Sequence, residues 1–438
     1  MSDMFNEQAA TDNSRLAAGI GVAIPEIYLP CQGTDLFRWA VVACDQFTSQ
    51  PEYWQNVASI VGSAPSTRRL ILPELFLDHP GDLPVTDRIR EINRSMLQYL
   101  SDGTLASVGS GWIVIDRETG RHTSRKGLLL AVDLDRYAFE PGNRQPIRAT
   151  EETVLDRLPP RLEIRREAPL ELPHVQLLID DPAKTVIEPL FDALAAFSPI
   201  YDTLLMLEGG RVRGWMIPED SPFIRQGLLA MADLDSLHRY GLLFAVGDGN
   251  HSLATAKAHW QQMRDQVPAD HPARFALVEL INIHDAGLDF QPIHRVVFDL
   301  DPAVFLARAK KFFAGQDLVV SQGRQDLHRP DKHGFSLLWQ EQTWSLAIRK
   351  PKRGLSAGSL QDFLDHLVPE ENCRIDYIHG TDVIQDLARQ GHLGLLLPSI
   401  EKSSFFATIA RGDILPRKTF SMGEAEEKRY YMECRKIC

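Results

Sequence analysis

Cysteine is scarce in this chain and never clustered. The five cysteines, Cys31, Cys44, Cys373, Cys434 and Cys438, are odd in number and form no CxxC pair or Cys/His group. That argues against a disulfide framework and against a structural zinc site. Long apolar runs are missing too, so no segment of the sequence has the length needed to cross a bilayer. The opening MSDMFNEQAATDNSRLAAGIG has no basic region followed by an apolar core. It reads as a polar, flexible tail rather than a secretory signal, and the expected location is the cytoplasm. Positive charge is in deficit: the net charge of −12 argues against a nucleic-acid partner, which would call for a basic face. No internal repeat or low-complexity segment stands out. An acidic protein that handles phosphate must concentrate its cations locally.

What is present exceeds one ordinary core. At 438 residues two or more domains or lobes are expected. Short extended runs alternate irregularly with helical ones, which points to a mixed α+β chain rather than a regular βαβ series. Residues 38–44 (RWAVVAC) read as a buried strand running into Asp45-Gln46-Phe47-Thr48-Ser49-Gln50. Pro51 then opens a helix that Thr48 or Ser49 could cap; a polar cluster at such a strand end is also a common place for ligand groups. Residues 112–115 and 127–133 read as two strands of a hairpin. Its loop, residues 116–126, holds Arg117, Arg121, His122, Arg125 and Lys126, either as a solvated loop or as a phosphate contact. Residues 150–158 read as a helix with a capping threonine in a charge-laced stretch.

The stretch with the most chemistry is FAVGDGNHSLATAKAHW, residues 244–260. An apolar strand ends in Gly247-Asp248-Gly249-Asn250-His251-Ser252, and a strong helix former follows. Glycines permit positive φ and a close approach of backbone to ligand. The first amides of a helix, together with its dipole, favour an anion. The spacing is neither that of a P-loop nor that of a dinucleotide fingerprint, so the pattern gives an anion site without saying which anion. The plain alternative is that Asp248, Asn250 or Ser252 merely caps the helix.

Three blocks, GDGNHSLATA, QPIHR and LPRKTFS, resemble in that order the bacterial and archaeal family called domain of unknown function 1015. Asp248, Gly249, His251, Thr255 and Ala256 match the first block; Pro292, His294 and Arg295 the second; Pro416, Lys418 and Thr419 the third. IRATEET, residues 147–153, and VACDQFTSQPEYW, residues 42–54, also fit family forms, so the resemblance covers nearly the whole chain. Three departures stand out. Asn250 replaces a usual histidine and Ser252 a usual arginine, while Thr150 replaces the histidine that precedes the glutamate Glu151. The first block also resembles the turn of the ParB/sulfiredoxin superfamily, including ParB-like free-serine kinases.

The resemblance implies a ParB/sulfiredoxin-like mixed-sheet core with an N-terminal α/β lobe and a C-terminal α+β region. The expected division is a tail over 1–20, a main lobe over 21–300 carrying the turn, and a region over 301–438 packing on the same site. It implies a small-molecule phosphotransferase, serine-kinase-like, with ATP or ADP at the turn and Mg²⁺ at Asp248. In that scheme Glu151 is the base, with Asp248 and His251 beside it. Gly247, Gly249, Asn250, Ser252, Arg295 and Lys418 bind phosphate. Asp45, Gln46, Thr48, Ser49, Arg148 and His294 bind substrate. A serine at position 252 brings no positive charge or bidentate fork, so the missing cation must come from Arg295, Lys418, Arg148 or Mg²⁺. A phosphatase acting on phosphoserine or a similar phosphoester, a nucleotide-sensing binding protein and a redox enzyme relying on Cys44 are the competing expectations. The expected partners are a small hydroxyl or phosphoester substrate and a second copy of the chain in a homodimer, with neither nucleic acid nor membrane.

Overall fold

Side chains along residues 112–115 alternate between two cores, the period of two expected of a strand covered on both faces. Trp112 and Val114 join one buried cluster, Ile113 and Ile115 the other. This strand, Leu105–Glu118, pairs antiparallel with Arg125–Asp133, so the hairpin is present as the sequence suggests. The computed structural model describes residues 2–77, 83–153, 158–325, 333–412, 415–416 and 418–438. Among them the chain divides into two compact units, Met1–Leu288 with Glu424–Cys438, and Asp289–Gly423.

The first unit is built on an eleven-stranded mixed sheet. From one edge nine of its strands run in the order Tyr137–Ala138, Ile147–Arg148, Phe244–Asp248, Gln176–Ile179, Phe275–Asn282, Arg125–Asp133, Leu105–Glu118, Gly210–Pro218 and Tyr201–Leu205, while Val22–Ala23 pairs with Arg125–Asp133 and Glu26–Pro30 with Leu105–Glu118. Phe244–Asp248 runs parallel to Ile147–Arg148 and antiparallel to Gln176–Ile179. The turn is thereby set between the TEET segment and residues 174–176. Helices Pro51–Val61 and Val85–Ser101 contribute to one core, Asn250–Met263 and Pro222–Ala232 to the other. The second unit holds a six-stranded antiparallel sheet in the order Leu318–Gln322, Gln342–Ile348, His333–Trp339, Leu393–Leu396, His294–Phe298 and Arg374–Ile378. Pro302–Phe312 and Ser356–Glu371 supply Phe305 and Phe363 to its core. The class is mixed α+β.

Several local expectations are corrected. The first twenty residues are not a bare tail: Ser2–Ile20 is helical, Ala17 is buried, and Asn13 Nδ2 donates to the carbonyl of Glu219 at 2.8 Å. The division falls at Leu288 rather than at residue 300, and Glu424–Cys438 belongs to the first unit. Residues 38–44 do not form one strand. Asp35 accepts hydrogen bonds from the amides of Phe37 and Arg38 and so caps a short helix, Leu36–Trp39; the buried stretch after it makes a single bridge, Val42 to Tyr430. Thr48 and Ser49 are exposed and do not cap the next helix, whose N-cap position is Gln50. Thr150–Thr153 is not helical, residues 154–157 lie outside the described residues, and the helix is Leu158–Arg166.

Candidate active site

Gly249 is where the strand becomes a helix. A bulge between Val246 and Asp248 bends the strand end at Gly247, and Asn250–Met263 begins immediately afterwards. Gly249 has φ of +84°, and a Cβ there would stand 3.0 Å from the Cα of Val175. Both the backbone shape and the packing against Val175 therefore require glycine. Gly249 is also the N-cap residue, so the cap position itself brings no side-chain acceptor for the first-turn amides. His251 and Ser252 occupy that first turn, both half-buried.

Asp248 faces two donors. Its Oδ1 accepts from the amide of Gly249 at 2.9 Å, and its Oδ2 lies 3.1 Å from Lys428 Nζ. An ammonium thus stands where Mg²⁺ was expected. A divalent cation on the same carboxylate would meet like charge at close range, so Asp248 as it is held does not fit a metal ligand. Among the described residues no group of three or more His, Cys, Asp and Glu side chains is placed to hold a metal ion.

The TEET segment is tied to the turn through Asn250. The Asn250 Oδ1 accepts from the Thr150 amide at 3.2 Å, and the Thr150 hydroxyl donates to the Val246 carbonyl at 2.7 Å. Asn250 Nδ2 lies 3.4 Å from that same hydroxyl. Glu151, half-buried, follows directly. Arg148, expected to bind substrate, donates to backbone carbonyls. Its guanidinium is buried on the carbonyls of Gln145, Tyr240 and Gly241, where it fastens the entry to the central strand.

His174 and Tyr431, which the sequence did not single out, connect the turn to the Asp45 loop. Tyr431 Oη accepts from the Cys44 amide at 3.1 Å and lies 2.9 Å from His174 Nδ1. Beyond Cys44, Asp45 accepts from Gln46 Nε2 at 3.0 Å, and the Gln46 carbonyl accepts from Trp54 Nε1 at 3.3 Å. Burial, reinforced by Asp45, pushes the Cys44 thiol up to about 12. A thiol held protonated is a poor nucleophile, which removes the support for the redox alternative.

Beneath the turn runs a buried charge network. Glu279 accepts from Gln176 Nε2 at 3.3 Å and from Arg429 Nη1 at 2.9 Å; Arg429 also pairs with Glu433, to which Tyr201 donates at 2.5 Å. Burial works to raise the Glu279 carboxyl, but Arg429 and Arg125 hold it below its ordinary value. The basic loop of the hairpin is thus only partly solvated. Arg117 and Arg125 are buried and donate to the carbonyls of Glu426 and Glu427. Burial, with Arg125 nearby, lowers Arg117 to about 9.

The remaining expected residues lie in the second unit, where QPIHR and LPRKTFS meet. Phe290–Pro292 pairs with Phe420–Met422. The guanidinium of Arg295 lies 4.7 Å from the ring centre of Tyr377, and Lys418 Nζ 5.2 Å from the same ring. Arg295 is fully buried, whereas Lys418 is exposed with φ of +56°. Burial, and then the charge of Arg295, lowers His294 to about 4, so its ring is neutral near pH 7 and Nδ1 accepts from the Leu397 amide at 3.2 Å.

The chain is mixed α+β, with a glycine-led helix start tied to the segment that carries Glu151. The family described as "protein of unknown function (DUF1015)" matches residues 28–367, and the chain belongs to it. No curated protein matches the sequence. Solved structures similar to it include the following three. A free serine kinase in complex with AMP aligns at 11% identity and a TM-score of 0.39 over 70% of this chain and 92% of the kinase. A conserved hypothetical protein from Pyrococcus furiosus aligns at 11% and 0.34 over 69% and 90%. C-terminally truncated SbnI from Staphylococcus aureus aligns at 10% and 0.36 over 67% and 82%. Among the described residues no helix is long and apolar enough to cross a membrane.

Proposed function

We propose that the chain is a small-molecule phosphotransferase that binds nucleotide phosphate at the turn of residues 247–252 and acts on a hydroxyl substrate, serine being the first candidate. One observation carries this reading. The Thr150–Asn250 pair joins the segment bearing Glu151 to a helix start whose cap position has no side chain. The first-turn amides, the positive helix end and the close approach allowed by Gly249 fit a phosphate. ATP or ADP would supply the phosphoryl group when bound. The first-turn amides, with His251 and Ser252, would hold its phosphate oxygens. Glu151 would take the proton of the acceptor hydroxyl, and the Asp45–Gln46 pair with Thr48 and Ser49 would hold the polar end of the substrate. Phosphoryl transfer asks mainly for positioning and charge neutralisation, which is what this arrangement offers.

The test is ³¹P NMR of the full chain with ATP, ADP or pyrophosphate and a panel of hydroxyl metabolites beginning with serine, with phosphoserine hydrolysis alongside. A phosphorylated product that disappears in Glu151→Gln while nucleotide binding persists is the expected result. Nucleotide binding without turnover of any acceptor would leave a sensor in place of an enzyme, and hydrolysis alone a phosphatase.

A further inference from the structure

The first turn of the helix Asn250–Met263 brings no fixed positive charge: its residues are Asn250, His251 and Ser252. Just before it stands Asp248, whose carboxylate would repel a phosphate lodged on the same amides. Lys428 answers both problems. It lies beyond the residues matched by the family, which end at 367, and it returns to the turn from the other end of the chain.

The segment that carries it is held in place on both sides. The Ala43 amide donates to the Arg429 carbonyl at 2.8 Å, and the Tyr431 amide to the Val41 carbonyl at 2.9 Å. Cys434 and Tyr28 exchange backbone hydrogen bonds at 2.9 and 2.8 Å. Arg429 is anchored on Glu279 and Tyr431 on the Cys44 amide. Lys428 is thus a buried lysine, with only 10% of its side chain exposed, fixed by its backbone and directed to Asp248. An ammonium held this way loses little freedom when an anion arrives, and in a desolvated setting it counts for more than a surface lysine.

We propose that Lys428 is a binding residue for the phosphate at the turn, the cation that the helix start itself lacks. The inference rests on the reading of residues 247–252 as a phosphate site and adds its counter-charge. Asp248 then orients the lysine, while the Gly249 amide fixes Asp248. The same segment, through Tyr431, sets the Asp45 loop against His174, which leads into the strand Gln176–Ile179, so residues 428–431 align both sides of the site.

The experiment is calorimetric titration of the full chain with ADP and with inorganic pyrophosphate at low and at moderate salt. Lys428→Met is expected to weaken both ligands by about ten- to a hundredfold, the size of a charge-assisted contact, and to flatten the salt dependence. Adding Ser252→Arg to Lys428→Met is expected to restore part of the affinity. Should Lys428→Met alone not fold, Lys428→Gln, which keeps a hydrogen-bond donor for Asp248 but no charge, gives the same comparison. A melting temperature that falls while affinity and salt slope stay at the level of the unaltered protein would reduce Lys428 to a structural role and overturn the proposal. If the unaltered protein binds neither ligand, the phosphate-site reading falls, and this proposal with it.

Discussion

Thr150 and Asn250 are hydrogen-bonded to each other, and they are two of the positions at which the chain departs from the usual family residues. The departures coincide in space: the side chain of one satisfies the backbone and hydroxyl of the other, and the pair fastens the segment of Glu151 to the turn. Because both groups are buried, neither can be removed without leaving a polar partner unsatisfied. Asn250→Ala and Thr150→Val are each expected to cost about 1–3 kcal/mol. Chemical denaturation of both singles and the double should give a coupling energy of about 0.5 kcal/mol or more. Strict additivity would mean that the contact does not hold the two segments together.

Removing Arg429 exposes the cost of the network beneath the turn. Arg429→Met leaves Glu279 and Glu433 buried without their guanidinium, and a broken buried pair typically costs about 3–5 kcal/mol. A midpoint shift below about 1 kcal/mol in urea would show that water reaches these carboxylates.

Acid should destabilise the protein through its neutral histidines. Burial lowers His294 from 6.5 to about 4, and His259 moves the same way, from burial first and then from Arg165 and Arg166. As pH falls, the unfolded chain takes up these protons before the folded one does. Their contribution is therefore complete above 6.5 and is lost as pH descends toward 4. Urea midpoints across that interval should fall for the unaltered chain and fall less for His294→Gln. A flat profile would place His294 in water.

Thiol chemistry should separate the cysteines. Cys31 and Cys438 are exposed, Cys373 and Cys434 are buried, and the thiol of Cys44 is held protonated by burial and by Asp45. A disulfide reagent at neutral pH should modify Cys31 and Cys438 rapidly and Cys44 only after denaturation. Rapid modification of Cys44, identified by mass spectrometry, would revive a redox role.

The parts of the site legible in the sequence are those whose cause is local. Residues 244–260 show an apolar run, paired glycines and a helix former, and each of these dictates its own backbone. The meeting of QPIHR with LPRKTFS in the second unit was suggested by resemblance, not by periodicity. Lys428 and Tyr431 were not legible, because an ion pair or a phenol contact depends on where a distant segment returns, and no local pattern records that. Arg117 and Arg125 misled for the same reason: a basic loop looks solvated until the carbonyls of Glu426 and Glu427 are placed over it. Thr150 was read as a helix cap because its neighbours are helix formers, whereas its hydroxyl is committed to the Val246 carbonyl.

The central claim is that the helix start at Gly249 binds phosphate, and titration calorimetry of ADP against the unaltered chain and Gly249→Ala tests it most directly. Alanine at this φ and this distance from Val175 must displace the first-turn amides. Saturable heat is expected from the unaltered chain, and little or none from a Gly249→Ala variant whose circular dichroism shows it folded. Equal binding by both proteins, or none by the unaltered one, would contradict the account.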